Sequence, residues 1–381
     1  MRVTIDAVPL LVRSAGVKNY LYYWIQHLSQ ESRGVEIRLF PFLGEPSRLG
    51  DPLRPGEPGL LDHEDSVANP VMTHASLGLL FLLNRIPNDV IGWMDPAIDL
   101  FHACKLLNPP RRAKLTATMH DFTCWMLPET HSPANVAADK AFAERIFKRA
   151  DGLIAVSEAT RSDAVRLLNL PPEKIRVIHH GVTDMFFRVT PADADAVRCR
   201  HGLHRPYLLF VGTIEPRKNV DLLLDAYQGL PPSIREEFEL VLAGPPGWAQ
   251  RATMARLRQL SPGVRYLGYV AEQDLAGLFA GATAFVYPSL YEGFGFPVAQ
   301  AMAAGTPVIT SAVSALPEIA GGAALLIDPR SETELRDAMW NLLTSPGRRA
   351  QLIEMGQSNA RRFSWTGCAR QALRFFEEVA G

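Results

Sequence analysis

The sequence predicts an α/β protein made of two Rossmann-like domains, and three observations lead there. Short apolar runs suited to buried parallel strands alternate with stretches whose apolar residues recur at helical spacing. Loops that follow those runs carry glycine, at Gly16, at Gly212 and at Gly293 with Gly295, as expected where open α/β sheets bind ligands at the carboxyl ends of their strands. The chain has 381 residues, more than one core usually organises, and its 47% apolar content is enough to fill two.

The formal net charge of −1 gives no global field toward nucleic acid or acidic lipid, so no nucleic-acid partner is expected. The four cysteines, Cys104, Cys124, Cys199 and Cys368, are scattered without metal-ligand or disulfide spacing and read as reduced thiols of a cytoplasmic protein. Residues 1–12 do not form a signal peptide, because Asp6 interrupts the apolar run and no small-residue cleavage pattern follows. No run approaches the roughly 18 apolar residues of a membrane span. Residues 77–83 are the longest candidate, and a helix carrying them is suited to peripheral contact with a membrane face.

Taken in order, residues 2–8 read as the first strand, 9–16 as a loop ending at Gly16, and 17–30 as a helix with Tyr20, Trp24, Ile25 and Leu28 near one face. The loop lacks a G-x-G-x-x-G pattern, so no dinucleotide site is assigned. Residues 35–42 form a second strand, and 43–70, rich in Pro, Gly and acidic residues, form a long surface loop. Two further strands end in His102 and in His120-Asp121. A histidine at the carboxyl end of a parallel strand points toward the ligand crevice, and the alternative for both is a hydrogen-bonded structural histidine. Residues 139–149 are helical, and 152–157 form a strand whose Ser157 caps the next helix. The strand at 174–179 ends in His179-His180. Adjacent strand residues point to opposite faces and no other ligands are spaced to join them, so this pair is not read as a metal site.

Residues 183–206 read as the interdomain linker, with strand 207–212 opening the second domain. Glu215-Pro216-Arg217-Lys218-Asn219 follows that strand and precedes a helix, which sets two cations where an anion is favoured. Strands at 239–244 and 264–269 come next, then the apolar run 284–288 and the stretch 289–301, Ser-Leu-Tyr-Glu-Gly-Phe-Gly-Phe-Pro-Val-Ala-Gln-Ala. That stretch is a strand–loop–helix unit. Gly293 and Gly295 permit close backbone approach, Pro297 marks the first helical turn, and Glu292 offers a carboxylate to hydroxyls. Strands at 307–310 and 324–327 complete the sheet, and Ser364-Trp365 opens the last helix.

Residues 292–297, 301–310 and 316–319 together resemble the donor-site signature of retaining nucleotide-sugar glycosyltransferases with the GT-B fold, family four, also called glycosyl transferases group 1. The resemblance implies two Rossmann-like domains facing a cleft: an acceptor-side domain over 1–190, a nucleotide-sugar-binding domain over 205–362, and a helix over 363–381 that packs back on the first domain. By resemblance Gly16 is the close-approach glycine of the first loop. His120 binds the transferred sugar and supports the transition state, Arg217 and Lys218 bind the diphosphate, and Glu292, Gly293, Phe294 and Gly295 bind the sugar. His120 and Glu292 are the catalytic candidates.

Two positions depart from the family pattern. Thr213 stands where many members have arginine, and Gln300 stands where a second glutamate commonly binds the ribose. Glutamine still accepts from one hydroxyl and donates to another but brings no charge. No cofactor and no metal are expected, since protein cations are able to neutralise the leaving group. The resemblance is greatest to bacterial transferases that extend polysaccharide or lipid-linked oligosaccharide chains, and it points to mannose from GDP-mannose. A degenerate nucleotide-binding GT-B protein and a GT-B sugar-nucleotide epimerase are the alternatives. Neither the acceptor and its linkage nor the oligomeric state is fixed by the sequence.

Overall fold

The computed structural model describes residues 1–11, 16–40, 78, 82, 89–247, 251–260 and 263–381. The chain divides into two compact units, one of Met1–Trp125, Ser132–Gly181 and Ser364–Gly381, the other of Met126–His131 and Val182–Phe363. The long loop read at 43–70 lies outside the described residues, as does the stretch 77–83 apart from Gly78 and Leu82, both helical.

In the first unit, β1 (Arg2–Asp6), β2 (Glu36–Phe40), β3 (Leu100–Ala103), β4 (Lys114–Met119), β5 (Gly152–Ala155) and β6 (Ile175–Val177) form a parallel sheet in the order β2-β1-β3-β4-β5-β6. Val3, Ile5, Leu100, Phe101, Ala117 and Leu153 are buried, as both faces of a parallel sheet require. Helix α1 (Gly16–Glu31) buries Leu21, Trp24, Ile25 and Leu28 along one stripe. Helices α2 (Val90–Met94), α3 (Pro133–Phe142) and α4 (Glu158–Leu168) follow. Ser157 caps α4 by accepting from the Thr160 N–H at 3.0 Å, as its position in the sequence suggests. The stretch read as one helix over 139–149 is instead the end of α3 followed by a π-turn at Ala143–Phe147, which buries Ile146 and Phe147.

The carboxylate of Asp6, at the end of β1, is fully buried. It accepts the N–H groups of Val8, Cys104, Lys105 and Leu106. Three of these donors, Cys104, Lys105 and Leu106, tie the loop after β3 to the end of β1, and burial raises the Asp6 pKa against the effect of all four.

The second unit begins earlier than the linker reading placed it. Residues 183–206, read as the linker, belong to this unit, and α5 (Asp184–Arg188) and α6 (Pro191–Arg200) lie within it. The Ala/Asp-rich segment is helical as the sequence suggests, and its inner face is only Ala194 and Val197, too small to mark it as part of a core. Its fit is close. A Cβ on Gly277 of α8 (Glu272–Ala280) would come within 2.6 Å of the Val197 side chain, and Asp274 accepts from Arg200 and His201.

The second sheet is parallel, in the order β12-β11-β10-β7-β8-β9. Its strands are β7 (Tyr207–Val211), β8 (Glu239–Ala243), β9 (Val264–Gly268), β10 (Ala284–Tyr287), β11 (Val308–Ser311) and β12 (Ala324–Ile327). Around it stand α7 (Val220–Gln228), α8, α9 (Phe296–Ala303), α10 (Leu316–Ala320), α11 (Glu332–Thr344) and α12 (Pro346–Ala360).

The last helix, α13 (Trp365–Ala380), belongs to the first unit. Ser364 caps it, and Trp365, Leu373, Phe375 and Phe376 are buried. Its rings meet those of α1, Tyr23 with Trp365 at 5.9 Å and Trp24 with Phe376 at 6.0 Å between centroids. Gly152 must be glycine here, since a Cβ would sit 2.6 Å from Val379 and 2.7 Å from Phe375.

Candidate functional site

In the second unit, three chain segments converge at the carboxyl ends of β7, β10 and β11. The first leaves β7 as a single 3₁₀ turn, Pro216–Lys218, and Asn219 then adopts the left-handed conformation at φ 58°. The Asn219 amide donates to the carbonyls of Pro288 at 3.1 Å and Pro329 at 2.7 Å, binding this turn to the loops after β10 and β12. A backbone bond from the Leu290 N–H to the Arg217 carbonyl at 2.8 Å adds a second tie.

Those ties bring Arg217 and Lys218 against Glu292. Lys218 Nζ donates to Glu292 Oε1 at 2.6 Å and to Tyr287 Oη at 2.6 Å. Tyr287 Oη donates to the same Oε1 at 2.9 Å, and Ser289 Oγ does so at 2.7 Å. Arg217 Nη1 lies 2.8 Å from Glu292 Oε2, and its Nη2 donates to Glu215 Oε1 at 2.7 Å. Two carboxylates thus balance two cations. Lys218 and Glu292 are each only 8% exposed, a depth at which an ion is tolerated only when paired and hydrogen-bonded. Burial alone would raise the Glu292 pKa, but Arg217 and Lys218 hold it down to about 2. Burial and the neighbouring Arg217 lower that of Lys218, against Glu292 and Glu215.

The third segment holds the backbone of Glu292. Its N–H donates to Ser314 Oγ at 2.9 Å, with Ser314 in the left-handed conformation at φ 53°. Gly295, at φ 98°, is the N-cap of α9, and Pro297 occupies the first turn. With no side chain at the cap, the α9 N-terminus faces the loop with backbone alone, a favourable end for an anion. The ring of Phe294 packs edge-on against Phe296 at 5.1 Å and Phe363 at 5.4 Å, so Phe294 offers its backbone and not its ring. Gln300 lies half-buried in α9.

The carboxylate of Glu292 was assigned from sequence to sugar hydroxyls. Three donors already crowd its Oε1 and one reaches Oε2, so of the roughly four lone-pair sites of a carboxylate, the room for a hydroxyl is at Oε2.

The first unit carries the remaining candidates. Gly16 opens α1, and the loop residues 12–15 before it lie outside the described residues. His120 follows β4 directly and stands with Tyr20 of α1 at 4.7 Å and His180 at 5.7 Å between ring centroids. His102 is instead a core residue. It is fully buried, with Nδ1 3.0 Å from Thr116 Oγ1 and Nε2 3.1 Å from Thr118 Oγ1, and it packs on Trp24 and Phe376. Burial lowers all three imidazoles: His102 to about 3, His120 to about 4, and His180 well below its ordinary value. His120 is therefore a neutral imidazole near pH 7, able to donate or accept one hydrogen bond at each nitrogen but carrying no charge.

The structure thus gathers Arg217, Lys218, Glu292, Gly293, Phe294, Gly295 and Gln300 on the second unit, and Gly16 and His120 on the first. Tyr287, Ser289, Glu215 and Ser314 join the Glu292 cluster and were not singled out from sequence. The available signal was position: Tyr287 ends the buried strand before the glycine loop, and Glu215 opens the turn that carries both cations. All four cysteines are free thiols. No helix among the described residues is long and apolar enough to cross a membrane.

Comparison with known proteins identifies the family. Residues 197–359 match the family Glycosyl transferases group 1, and residues 14–184 match Glycosyltransferase Family 4. Over 281 residues the chain is 34% identical to O-antigen chain mannosyltransferase B of Escherichia coli, spanning 73% of this chain and 74% of that protein. It is 27% identical over 239 residues to the serotype-specific mannosyltransferase WbdA of Escherichia coli, of which it spans 29%.

Among solved structures, sucrose-phosphate synthase of Thermosynechococcus elongatus superposes with a TM-score of 0.73 at 20% identity, over 100% of this chain and 99% of that one. HepE of Anabaena, solved in complex with UDP and glucose, superposes at 0.68 and 19% identity over 99% of each chain. These structural likenesses carry the GT-B fold. With one relative at 34% identity along three quarters of its length, the chain belongs to the group 1, family 4 glycosyltransferases and is a glycosyltransferase of GT-B fold.

Proposed function

We propose that this glycosyltransferase moves a hexose, mannose from GDP-mannose, onto a hydroxyl of a glycan or lipid-linked oligosaccharide, with retention at the anomeric carbon. The observation that carries the nucleotide-sugar reading is the buried cluster of Arg217, Lys218, Glu292 and Tyr287 beside the N-terminus of α9. The mannose reading rests on the names of the relatives, both mannosyltransferases. Arg217 and Lys218 neutralise the departing diphosphate, so no metal is needed for that task. Oε2 of Glu292 accepts from a sugar hydroxyl.

In the transfer, the acceptor oxygen bonds to the anomeric carbon on the face the diphosphate leaves. The bond from that carbon to the phosphate oxygen breaks, and the acceptor proton passes to that oxygen. A lipid-linked acceptor brings the chain to a membrane face. Trp93, 83% exposed at the end of α2, and the exposed Met94 suit such contact, because the Asp89 carboxylate that caps α2 also receives the N–H of Arg111 at 3.1 Å, and exposed Arg112 follows.

The degenerate-site alternative draws on Thr213 and Gln300, and the intact cluster around Glu292 speaks against it. Thermal stabilisation by GDP, UDP, ADP and dTDP, with and without magnesium, is the first test. The second is release of GDP from GDP-mannose with and without a mannan acceptor. A metal-independent GDP shift and acceptor-dependent release are expected. A UDP or dTDP shift overturns the donor, nucleotide binding without transfer supports the degenerate reading, and acceptor-independent conversion of the sugar nucleotide supports the epimerase.

A further inference from the structure

We infer that Tyr287 is a positioning residue of the donor site, whose hydroxyl aims Lys218 at the diphosphate and holds Glu292 in register. The inference rests on the donor-site reading above and names a residue that reading did not need. Tyr287 is the last residue of β10 and is fully buried. Its ring is fixed by stacking on Phe285 at 5.6 Å and Phe210 at 5.9 Å, and its carbonyl accepts from Thr310 Oγ1 at 2.9 Å. The phenol oxygen is therefore set by the sheet, with no freedom of a loop.

That oxygen accepts from Lys218 Nζ at 2.6 Å and donates to Glu292 Oε1 at 2.9 Å. An ammonium has three N–H donors in tetrahedral array. Tyr287 and Glu292 take two, at 2.6 Å each, and two fixed bonds determine the direction of the third. Lysine otherwise swings on a flexible four-carbon stem. A phenylalanine at 287 would keep the ring and its stacking but leave one bond to fix Lys218, so the third donor would wander over a cone. Glu292 would lose one of the three donors on Oε1, with Ser289 and Lys218 still in place. The role is indirect: the hydroxyl acts on ligand through Lys218 and Glu292.

The test is Tyr287→Phe in the full chain, alone and in a Lys218→Met background. The readouts are dissociation constants for whichever of GDP, UDP, ADP or dTDP stabilises the wild type most and for the matching nucleoside, together with melting temperature. Loss of a hydrogen bond to a charged group predicts about tenfold weaker nucleoside diphosphate binding. Nucleoside binding should be unchanged, and Tyr287→Phe should have no further effect once Lys218 is gone.

Wild-type diphosphate affinity in Tyr287→Phe, with Lys218→Met still weakened, overturns this inference and leaves the donor site standing. Equal weakening toward diphosphate and nucleoside, with a lowered melting temperature, overturns it in favour of a scaffold role. Full additivity of the two substitutions overturns the coupling through Lys218. If the wild type binds no nucleoside diphosphate, or Lys218→Met leaves that binding unchanged, the donor-site reading itself falls and takes the inference with it.

Discussion

Acidification should unfold the first unit well before ordinary carboxylate titration would. His102, His120 and His180 are all held below the ordinary imidazole pKa by burial, the first two at about 3 and about 4. Folded pKa values depressed in this way favour the neutral form, so the stability they carry is present above the unfolded value of about 6.5 and is lost as pH falls toward the folded values. At pH 5 His102 and His120 each bind a proton in the unfolded chain but not in the folded one. That forfeits about 1.4 kcal/mol for each of 1.5 pH units, or about 2 kcal/mol per residue. His102 and His120 together forfeit about 4 kcal/mol, a large part of the net stability of many domains, and His180 acts in the same direction. Near pH 5 these two alone should give a slope of about 3 kcal/mol per pH unit.

Urea unfolding followed by tryptophan fluorescence between pH 7.5 and 5 checks this, since Trp24 and Trp365 are buried in this unit. His102→Gln should lower the slope by about 1.4 kcal/mol per pH unit, because it removes one proton taken up on unfolding. A stability flat across this range, or a slope unmoved by His102→Gln, would refute the account of three neutral buried imidazoles.

Three other outcomes are expected. Glu292→Gln should lower turnover about a hundredfold, the scale for losing one preorganised polar contact to the reacting sugar. The same variant should keep or strengthen nucleoside diphosphate binding, because Arg217 and Lys218 lose a competing carboxylate; loss of that binding in calorimetry would misplace Glu292. Phe376→Ala should destabilise the first unit by about 3–5 kcal/mol in chemical denaturation, as a fully buried aromatic is replaced by a cavity beside Trp24 and His102. Trp93→Ala should reduce co-sedimentation with phosphatidylglycerol vesicles, and equal pelleting of variant and wild type would remove Trp93 from any membrane contact.

The parallel strands were legible because burial on both faces leaves unbroken apolar runs such as 207–211 and 284–287. Ser157 and Ser364 were legible as caps because a hydroxyl before a helical period has one favoured use. The donor loop was legible as a combination of glycines, a proline and a carboxylate within a few residues. Contacts made by folding distant segments together were not. Nothing local to Tyr287 says that Lys218, 69 positions earlier, reaches its hydroxyl. Likewise His102 and His120 look alike at the ends of their strands, and only the two threonines of β4 make the first a core residue. Helix α6 was legible as an Ala/Asp-rich helix, but a buried side of two small residues gave no sign that it packs within the second unit.

The placement of α13 has a consequence for how the protein is born. Arg370 of α13 bonds Glu31 of α1 across 339 positions, and the whole second unit is synthesised between them. During translation α1 must wait with the face that later receives Trp365 and Phe376 open to solvent, while residues 182–363 have everything but a six-residue insert needed to condense. The usual order, in which the earlier domain folds first, is thereby reversed for completion. Until α13 arrives the nascent first unit keeps that apolar face uncovered, and a chain cut before residue 364 would carry one whole unit and one lacking its closing helix.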